Sequence, residues 1–254
     1  MVLAVDIGNT NIVIGGFEKA GVVFTERLST ARLNTEAEYT YLIQSVLQMH
    51  GLSGDSFEGC IVCSVVPPVT QTIRGTLLRL LGKDPLVVGA GIKTGLKILI
   101  DNPAALGSDR VADAVAASAC YPLPVITVDL GTATTVSVVD QEKHFLGGLI
   151  IPGVRVALES LSSRASQLPV ISLEPAKKVI GTNTVDCMKS GIIYSTAASI
   201  DGVTARIEEE LGMSCTVVAT GGNAGKILPF CKREIIYDEW LLLKGLMLIY
   251  YKNQ

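Results

Sequence analysis

The chain has 254 residues, of which 48% are hydrophobic and 18% charged, so it can bury one large core or two of ordinary size. This composition excludes a disordered tail. The net charge of −3 and the absence of lysine or arginine runs argue against nucleic acid or an anionic membrane as the main partner. No stretch reaches the roughly 18 apolar residues of a membrane span, and Asp6 interrupts the first apolar run, unlike a secretory signal. We therefore expect a cytoplasmic globular protein.

The first half of the chain predicts three short strands, followed by helices and strands in alternation. The three strands are the runs VLAVDIG, NIVIGGF and VVFTERL. A helix follows the capping box Thr35-x-x-Glu38, with apolar residues at helical spacing and Gly51 as its stop. Next come a strand (CIVCSVV), a helix after Pro67 and Pro68, a strand (PLVVG), a long irregular loop and a helix (DRVADAVAASAC).

The second half of the chain repeats this plan. Three strands (VITVDLG, TTVSVVD and HFLGGLII) precede a helix (VRVALESLSSRAS) and a long helix from about Val185 to Leu211. A strand (CTVVATGG), a short helix, a strand (EIIYD) and a closing helix follow. The repetition predicts two mixed-sheet α/β domains, residues 1–121 and 122–254, with a hinge near Tyr121 to Pro124. Ligands of such sheets bind at the carboxyl ends of the strands.

Two near-copies of one segment, LAVDIGNTNIVIGGF and ITVDLGTATTVSVVD, carry the main chemical signal. In each copy an apolar strand ends on an aspartate, Asp6 or Asp129, beside a tight glycine turn. The turn offers backbone N–H groups and hydroxyls, and the carboxylate can hold a cation, so facing copies would hold a metal-bound polyphosphate from both sides. A single turn of this kind is commonly structural, because Gly8 and Asn9 suit a hairpin on their own. Two similar turns favour phosphate and metal binding, which predicts an ATP-using phosphotransferase.

The run Gly107-Ser108-Asp109-Arg110 closes the irregular loop and opens an alanine-rich helix. Ser108 or Asp109 is expected to cap the first N–H groups of that helix. Beside the helix N-terminus and Arg110, Asp109 is also expected to stay ionised and to accept a proton from a substrate hydroxyl. The planar fork of Arg110 suits a substrate carboxylate or phosphate.

Two shorter motifs admit a structural and a functional interpretation. The run Ala219-Thr220-Gly221-Gly222 either links a strand to a helix or lets the backbone approach a nucleoside closely, and we favour the nucleotide contact. Cys60 and Cys63 form a C-x-x-C, but the chain has only two histidines and no second pair of this kind. We therefore expect buried strand packing rather than a metal or redox site.

Taken together and in order, these motifs resemble those of the type III pantothenate kinases. The matching runs are DIGNTN, NPAALGSDR, DLGTATT, GGLIIPGV, SSRASQLP, IGTNTVDCMKSGIIY, ATGG and LLLKGL. They span essentially the whole chain. The runs DLGTATT and LGSDR together are specific for this family and go beyond a general ATPase signature. The superfamily also contains acetate and sugar kinases, heat-shock chaperones and actin. The resemblance implies an α/β fold of two duplicated ribonuclease H-like (actin-like ATPase) domains, with mixed β-sheets and a cleft between them.

The activity implied by the resemblance is ATP-dependent phosphorylation of pantothenate to 4′-phosphopantothenate, the first step of coenzyme A biosynthesis. Asp109 would be the catalytic proton acceptor, Asp129 would hold K⁺ or NH₄⁺, and Mg²⁺ would arrive with ATP near Asp6. Further ATP contacts would be Ile7, Gly8, Asn9, Thr10, Asn11, Ile12, Val13, Thr132, Gly221 and Gly222. Pantothenate would contact Ile100, Gly107, Ser108, Asp109, Arg110 and Thr184, with Thr184 contributed by the other subunit of a homodimer.

Two positions depart from the family pattern. Members commonly carry a tyrosine where this chain has Ile100, which loses a hydroxyl hydrogen bond, and a glycine where it has Ser195. Because of Ile100, a related kinase acting on another small hydroxy acid or sugar is an alternative. A non-catalytic family member, such as an accessory transcription factor, is a second alternative. Loss of Asp6, Asp109 or Asp129 would indicate it, and all three are present.

Overall fold

The computed structural model describes residues 1–18, 21–175 and 177–254. The first elements in chain order are β1 (Val2–Ile7), β2 (Asn11–Glu18), β3 (Gly21–Ser29), α1 (Glu36–Met49), β4 (Gly59–Ser64), α2 (Pro67–Leu81), β5 (Leu86–Val87), β6 (Lys97–Ile98) and α3 (Ser108–Cys120). They are followed by β7 (Val125–Leu130), β8 (Ala133–Val139), β9 (His144–Pro152), α4 (Val154–Arg164), α5 (Thr184–Leu211), β10 (Thr216–Thr220), α6 (Ala224–Ile227), β11 (Ile236–Tyr237) and α7 (Leu241–Lys252). Apart from β6, the predicted order of strands and helices is therefore confirmed.

Contacts divide the chain into two compact units. Unit 1 comprises Met1–Leu96, Asp101–Ala119 and Trp240–Gln254, and unit 2 comprises Lys97–Ile100 and Cys120–Glu239. The domain limits of 1–121 and 122–254 stay a prediction. The contact units differ from them chiefly in the segment around β6 and in the closing helix α7.

The described strands form two mixed sheets that repeat one plan. The first has the order β3-β2-β1-β4-β5, and the second has the order β11-β10-β7-β8-β9-β6. In each sheet the central strand pairs antiparallel with the strand after it and parallel with a later strand: β1 with β2 and β4, β7 with β8 and β10. Strands β7 to β11 thus take the places of β1 to β5, which confirms the duplicated α/β architecture with two mixed sheets. The additional strand β6 pairs parallel with β9, in a stretch for which the sequence predicted only an irregular loop.

Unit 1 packs helices on both faces of its sheet. On one face, α1 and α2 contribute Tyr39, Ile43, Ile73 and Leu77 to a core shared with alternate residues of β1, β2 and β4. The capping box that starts α1 is present as predicted. Pro67 and Pro68 lie in the first turn of α2 rather than before it. A missing N–H costs nothing there, because the first N–H groups of a helix have no partner within the helix.

The other face of the unit 1 sheet carries α7. A Cβ atom at Gly15 would lie 2.9 Å from Leu243, and one at Gly245 would overlap the backbone of Ala112 on α3. Glycines therefore let α7 approach both the sheet and α3. This packing explains why α7, the last element of the sequence, belongs with the first sheet.

Unit 2 builds its core from one face of its sheet and from α4, α5 and α6. Val128 and Val136 of the sheet share this core with Ile193 and Ala197 of α5. The 28-residue helix α5 ends at Gly212, which has φ of 68° and so adopts the left-handed conformation that glycine favours. Within the described part of the chain, every helix is too short or too polar to cross a lipid bilayer.

Candidate active site

The first glycine turn joins β1 to β2 at the carboxyl end of β1. The Gly8 N–H donates to Asn11 O at 3.0 Å, which closes the turn. Thr30, just after β3, fixes the turn with two hydrogen bonds. Its Oγ1 donates to Gly8 O at 2.7 Å, and its N–H donates to Thr10 O at 3.0 Å. The side chains of Thr10 and Asn11 are exposed. The turn is therefore fixed from one side and open to solvent on the other.

Three neighbours of this turn refine the predicted ATP contacts. Ile7 and Ile12 are fully buried in the unit 1 core, so they can reach a nucleotide only through their backbone. Arg32, which the sequence did not single out, donates from Nη2 to Asn9 Oδ1 at 3.1 Å. It places a guanidinium beside the turn.

The second glycine turn, between β7 and β8, is one residue shorter than the first. The Gly131 N–H donates to Ala133 O at 3.1 Å. Leu130 pairs with Thr134 across this hairpin, whereas the equivalent Ile7 pairs with Ile12. Thr132 lies exposed at the tip. The two turns are thus related in position but are not identical in geometry.

The two aspartates occupy equivalent positions in the two sheets. Asp6 pairs with Cys63 on the adjacent parallel strand β4, and Asp129 pairs with Thr220 on β10. Both carboxylates are half-buried, and Cys63 and Thr220 are buried. Each aspartate therefore stands at a strand end beside a small polar side chain of the next strand.

Asp129 lies in a cradle formed by glycine backbone. Gly221 has φ of 95°, and a Cβ atom there would overlap Asp129 Oδ1. On the other side, a Cβ atom at Gly131 would lie 3.4 Å from Asp129 Oδ2. The Asp129 carboxylate can therefore keep its present position only if residue 221 is glycine. Gly222, the next predicted contact, is exposed.

Asn223, which the sequence did not single out, fixes this loop to the second turn. It is buried, its N–H donates to Leu130 O at 3.2 Å, and its Nδ2 donates to Leu130 O at 3.3 Å and Gly131 O at 3.5 Å. Asn223 sits at the cap position of α6, yet its side chain makes no capping bond. A polar residue directly after Gly-Gly is the one sequence signal that pointed to it.

The N-terminus of α3 carries the predicted base. Asp109 is half-buried, and its Oδ1 accepts from the Arg110 N–H at 2.8 Å, so Asp109 satisfies one N–H group of the first turn. Ser108 does not, because its hydroxyl donates to Ser64 O at 2.9 Å at the end of β4. Val111 N–H donates to Gly107 O at 3.2 Å, so the Gly107 carbonyl accepts the first helical hydrogen bond. Of the two residues expected to satisfy the first N–H groups, Asp109 does so and Ser108 does not.

Gly107 and Arg110 flank this carboxylate. A Cβ atom at Gly107 would overlap Asp109 Oδ1, so glycine is required for this orientation of Asp109. Burial lowers the pKa of Arg110, while the nearby Asp109 carboxylate raises it. Arginine stays charged despite such shifts, so a half-buried cation stands beside the carboxylate.

Cys63 connects Asp6 to the α3 N-terminus. Its Sγ lies 3.2 Å from Ser108 Oγ, and its thiol is also hydrogen-bonded to Asp6. Burial and then the Asp6 carboxylate, with a smaller effect of Asp109, raise the pKa of Cys63 well above its usual range. The carboxylates of Asp6 and Asp109 therefore both lie near one neutral, buried thiol.

The C-x-x-C pair is strand packing, as predicted. Cys60 and Cys63 are three positions apart on β4, so they point to opposite faces of the sheet. Burial raises the pKa of Cys60 to about 12. No cluster of three or more His, Cys, Asp or Glu side chains suited to a metal ion occurs in residues 1–18, 21–175 or 177–254.

The remaining predicted contacts lie in unit 2. Ile100 is half-buried after β6, where a Cβ atom at Gly147 of β9 would lie 3.8 Å from its Cγ2. Thr184 is exposed as the first residue of α5, and Asn183 caps that helix by accepting from the Asp186 N–H. Unit 1 thus holds the Asp6 turn and residues 107–110, and unit 2 holds Asp129, Thr132, Gly221, Gly222, Ile100 and Thr184.

Comparison with known proteins identifies the family. A family model described as type III pantothenate kinase matches residues 2–206. The chain is 41% identical to a type III pantothenate kinase of Halalkalibacterium halodurans over 253 residues, 100% of both chains. It is 42% identical to one of Bacillus cytotoxicus over 253 residues, 100% of this chain and 97% of the relative. A solved structure of a ROK hexokinase from Thermus thermophilus matches with a TM-score of 0.55 and 15% identity, over 99% of this chain and 98% of that one, a likeness in fold alone. The chain belongs to the type III pantothenate kinase family.

Proposed function

We propose that this protein transfers the γ-phosphoryl group of ATP to the primary hydroxyl of pantothenate. The product is 4′-phosphopantothenate, and the reaction is the first step of coenzyme A biosynthesis. Full-length relatives at 41% and 42% identity support this activity. The structural observation that carries it is the arrangement in unit 1, where Asp6 and Asp109 both lie beside the buried Cys63. Asp6, the proposed nucleotide-binding carboxylate, and Asp109, the proposed proton acceptor, therefore lie close to the same residue.

Asp109 is the proposed general base. It stands in the first turn of a 13-residue helix, where its Oδ1 accepts the Arg110 N–H at 2.8 Å and is held in a defined orientation. A carboxylate held in this way can accept the proton of the pantothenate hydroxyl as that oxygen attacks phosphorus. Phosphoryl transfer depends on positioning and on neutralising charge, so a protein nucleophile is not needed.

Pantothenate carries a carboxylate, and Arg110 is the proposed partner for it. Gly107, Asp109, Arg110, Ile100 and Thr184 are the proposed contacts of this substrate. An arginine is suited to this role because its planar fork matches a carboxylate with two parallel hydrogen bonds.

ATP is proposed to bind through residues 6 to 13, Thr132, Gly221 and Gly222. The exposed side of the first turn, with Arg32 beside it, suits a phosphate group. Asp6 offers one half-buried carboxylate to Mg²⁺, and the described residues hold no cluster able to bind a metal ion with protein ligands alone. This donor set fits a Mg²⁺ ion that shares the nucleotide phosphates as ligands and neutralises their charge.

A monovalent cation, K⁺ or NH₄⁺, is proposed to bind at Asp129. The carboxylate stands in a cradle of Gly131 and Gly221 that a side chain at 221 would fill, so the residues fit a small cation. When bound, such a cation supplies positive charge for the phosphates. Asn223 and Gly221 hold the carboxylate and the turn in place.

We further propose a homodimer in which Thr184 serves the partner's pantothenate site. Unit 2 exposes several large apolar side chains on β9, on α4, just before α5 and at the start of α5: Ile150, Val156, Leu161, Ile180 and Val185. A second copy is the simplest cover for such a surface. Ile150→Asp should convert the dimer to a monomer in sedimentation velocity, whereas Leu33→Asp on unit 1, which is 97% exposed, should not. A native protein that sediments as a monomer at all concentrations would overturn the dimer.

A cytoplasmic location completes the proposal. The six cysteines all fall within the described ranges and carry free thiols, as expected in a reducing compartment. Fractionation of cells that produce the tagged protein would test this.

The activity is tested with a substrate panel. The native protein is incubated with ATP, Mg²⁺ and pantothenate, or with glucose, N-acetylglucosamine or glycerate, in K⁺ or Na⁺ buffer. We expect phosphorylation of pantothenate, stimulated by K⁺. If pantothenate is inert and another hydroxy compound is phosphorylated, the alternative kinase suggested by Ile100 is correct. Ile100→Tyr should then leave that preference unchanged, whereas in a pantothenate kinase it should lower the KM for pantothenate.

A further inference from the structure

We propose that Ser108 is a positioning residue, which fixes the base Asp109 to the end of β4 and does not itself bind pantothenate. This inference rests on the proposed function, because it takes Asp109 as the base. It replaces the substrate contact that the family pattern suggested for the Ser108 side chain.

The donor and at least one acceptor lone pair of the Ser108 hydroxyl are already engaged within unit 1. A serine hydroxyl offers one donor and two acceptor lone pairs. The Ser108 hydroxyl donates to Ser64 O at 2.9 Å, its Oγ accepts from the Ser64 N–H at 3.1 Å, and the Cys63 sulfur lies 3.2 Å from the same Oγ. Ser108 is also only 8% exposed. Its one donor, which a substrate oxygen would need, is therefore engaged inside unit 1, and the side chain is buried.

These bonds fix α3 to the sheet at one defined place. The two bonds to the Ser64 backbone fasten the first residue of α3 at the last residue of β4. Asp109 is the next residue, so its position along the helix follows directly from this attachment. Gly107 and the Arg110 N–H then set the direction of the carboxylate.

The same attachment relates Asp109 to Asp6. Cys63, which contacts Ser108, pairs with Asp6 in the parallel register of β1 and β4 and shares a hydrogen bond with its side chain. Asp6, Cys63, Ser108 and Asp109 therefore form one continuous chain of contacts. Even a small shift of α3 along the sheet would move Asp109 relative to Asp6, the carboxylate proposed to bind the nucleotide. Misplacements of about 1 Å can lower rates by roughly a hundredfold.

The test is a double-mutant cycle of Ser108→Ala and Asp109→Asn. We expect Ser108→Ala to lower kcat about tenfold, with the KM for pantothenate changed less than about twofold. In the Asp109→Asn background the same substitution should lower kcat no further, because there is no base left to position. Ser118→Ala is the matched control: Ser118 lies on the same helix, is also 8% exposed, and bonds only to Val115 O at 3.0 Å among its described contacts. It should leave kcat unchanged.

Three outcomes would overturn the inference. The first is a rise in KM for pantothenate of tenfold or more at unchanged kcat, which would assign Ser108 to the substrate. The second is an equal loss of kcat in both backgrounds, and the third is an equal loss in Ser118→Ala. If Ser108→Ala does not fold, Ser108→Cys keeps a weak donor in a similar volume and enters the same cycle.

The readouts separate this inference from the proposed function. A native protein that does not phosphorylate pantothenate refutes the function. The attachment of α3 is measured independently of activity by hydrogen exchange of the amides in the first turn of α3. Ser108→Ala should speed that exchange, and Ser118→Ala should not; unchanged exchange in Ser108→Ala would refute the attachment.

Discussion

Gly221 approaches the Asp129 carboxylate so closely that any side chain at position 221 would overlap Oδ1. The residue also has φ of 95°, a conformation that L-residues adopt at a cost of about 1–2 kcal/mol. We therefore predict that Gly221→Ala displaces the Asp129 carboxylate and lowers kcat/KM for ATP by at least about tenfold. Steady-state kinetics at varied K⁺ would measure this, since the displaced carboxylate should also weaken activation by the cation.

Gly225→Ala is the control for this prediction. Gly225 lies four residues further on, in α6, and a Cβ atom there meets no heavy atom within 4 Å. Kinetics of Gly225→Ala should match the native protein. Native kinetics in Gly221→Ala would show that Asp129 does not depend on this cradle.

Asn223 should matter for nucleotide binding and not only for stability. Asn223→Ala removes the Nδ2 donor to Leu130 O and Gly131 O and should lower the free energy of unfolding by about 1–2 kcal/mol. Because these carbonyls belong to the second glycine turn, the KM for ATP should also rise. Asn253 makes a comparable pair of bonds in unit 1, from Nδ2 to Lys93 O and Ile249 O. Asn253→Ala should therefore lower stability but leave the KM for ATP unchanged; equal KM values for the two variants would contradict the prediction.

The buried thiols should resist alkylation in the native protein. Burial raises the pKa of Cys60 to about 12 and that of Cys63 well above its usual range, so neither forms a thiolate at pH 8. The exposed Cys120 and Cys187 should react with iodoacetamide first. Peptide mass mapping should find Cys60 and Cys63 modified only after unfolding. Early modification of Cys63 would mean that the thiol between Asp6 and Ser108 is accessible.

Glu208 should make stability depend on pH in the acidic range. Its hydrogen bond with Arg233 lowers the pKa of Glu208, while burial acts in the opposite direction. A lowered pKa means that the contribution is fully present above the unfolded-state value of about 4.3 and is lost as the pH falls through the folded-state pKa. Glu208→Gln should therefore lower the unfolding free energy at pH 7, and this difference should disappear once the pH has fallen below the folded-state pKa of Glu208. Denaturant titrations at pH 7 and through the acidic range would measure this, with the exposed Glu210→Gln as the control. A constant difference across the range would contradict it.

Local patterns predicted most of the fold. The capping box Thr35 to Glu38, the apolar spacing of α1 and the repeated strand plan depend on residues close in sequence, and each is present. The positions of Asp6 and Asp129 at strand ends followed from the same repeat. Strand β6 was missed because its pairing with β9 is not encoded in its own periodicity.

Contacts distant in sequence account for what could not be predicted at the site. A serine at a helix start predicts a cap, but the partners of Ser108 lie on β4, 44 positions earlier. Asn223 likewise reaches back 93 positions to Leu130. Side-chain partners of this kind are chosen by the tertiary fold, and a single sequence does not reveal them.

Asp109→Asn shows whether Asp109 accepts the proton of the pantothenate hydroxyl. The amide keeps the size of the side chain and an oxygen that can accept the Arg110 N–H, but it cannot act as a base. In a rapid-quench single-turnover assay with saturating ATP, Mg²⁺, K⁺ and pantothenate, we predict a rate at least about a hundredfold below that of the native protein. Binding of pantothenate, measured by calorimetry, should change little. If the variant phosphorylates pantothenate at close to the native rate, Asp109 is not the base.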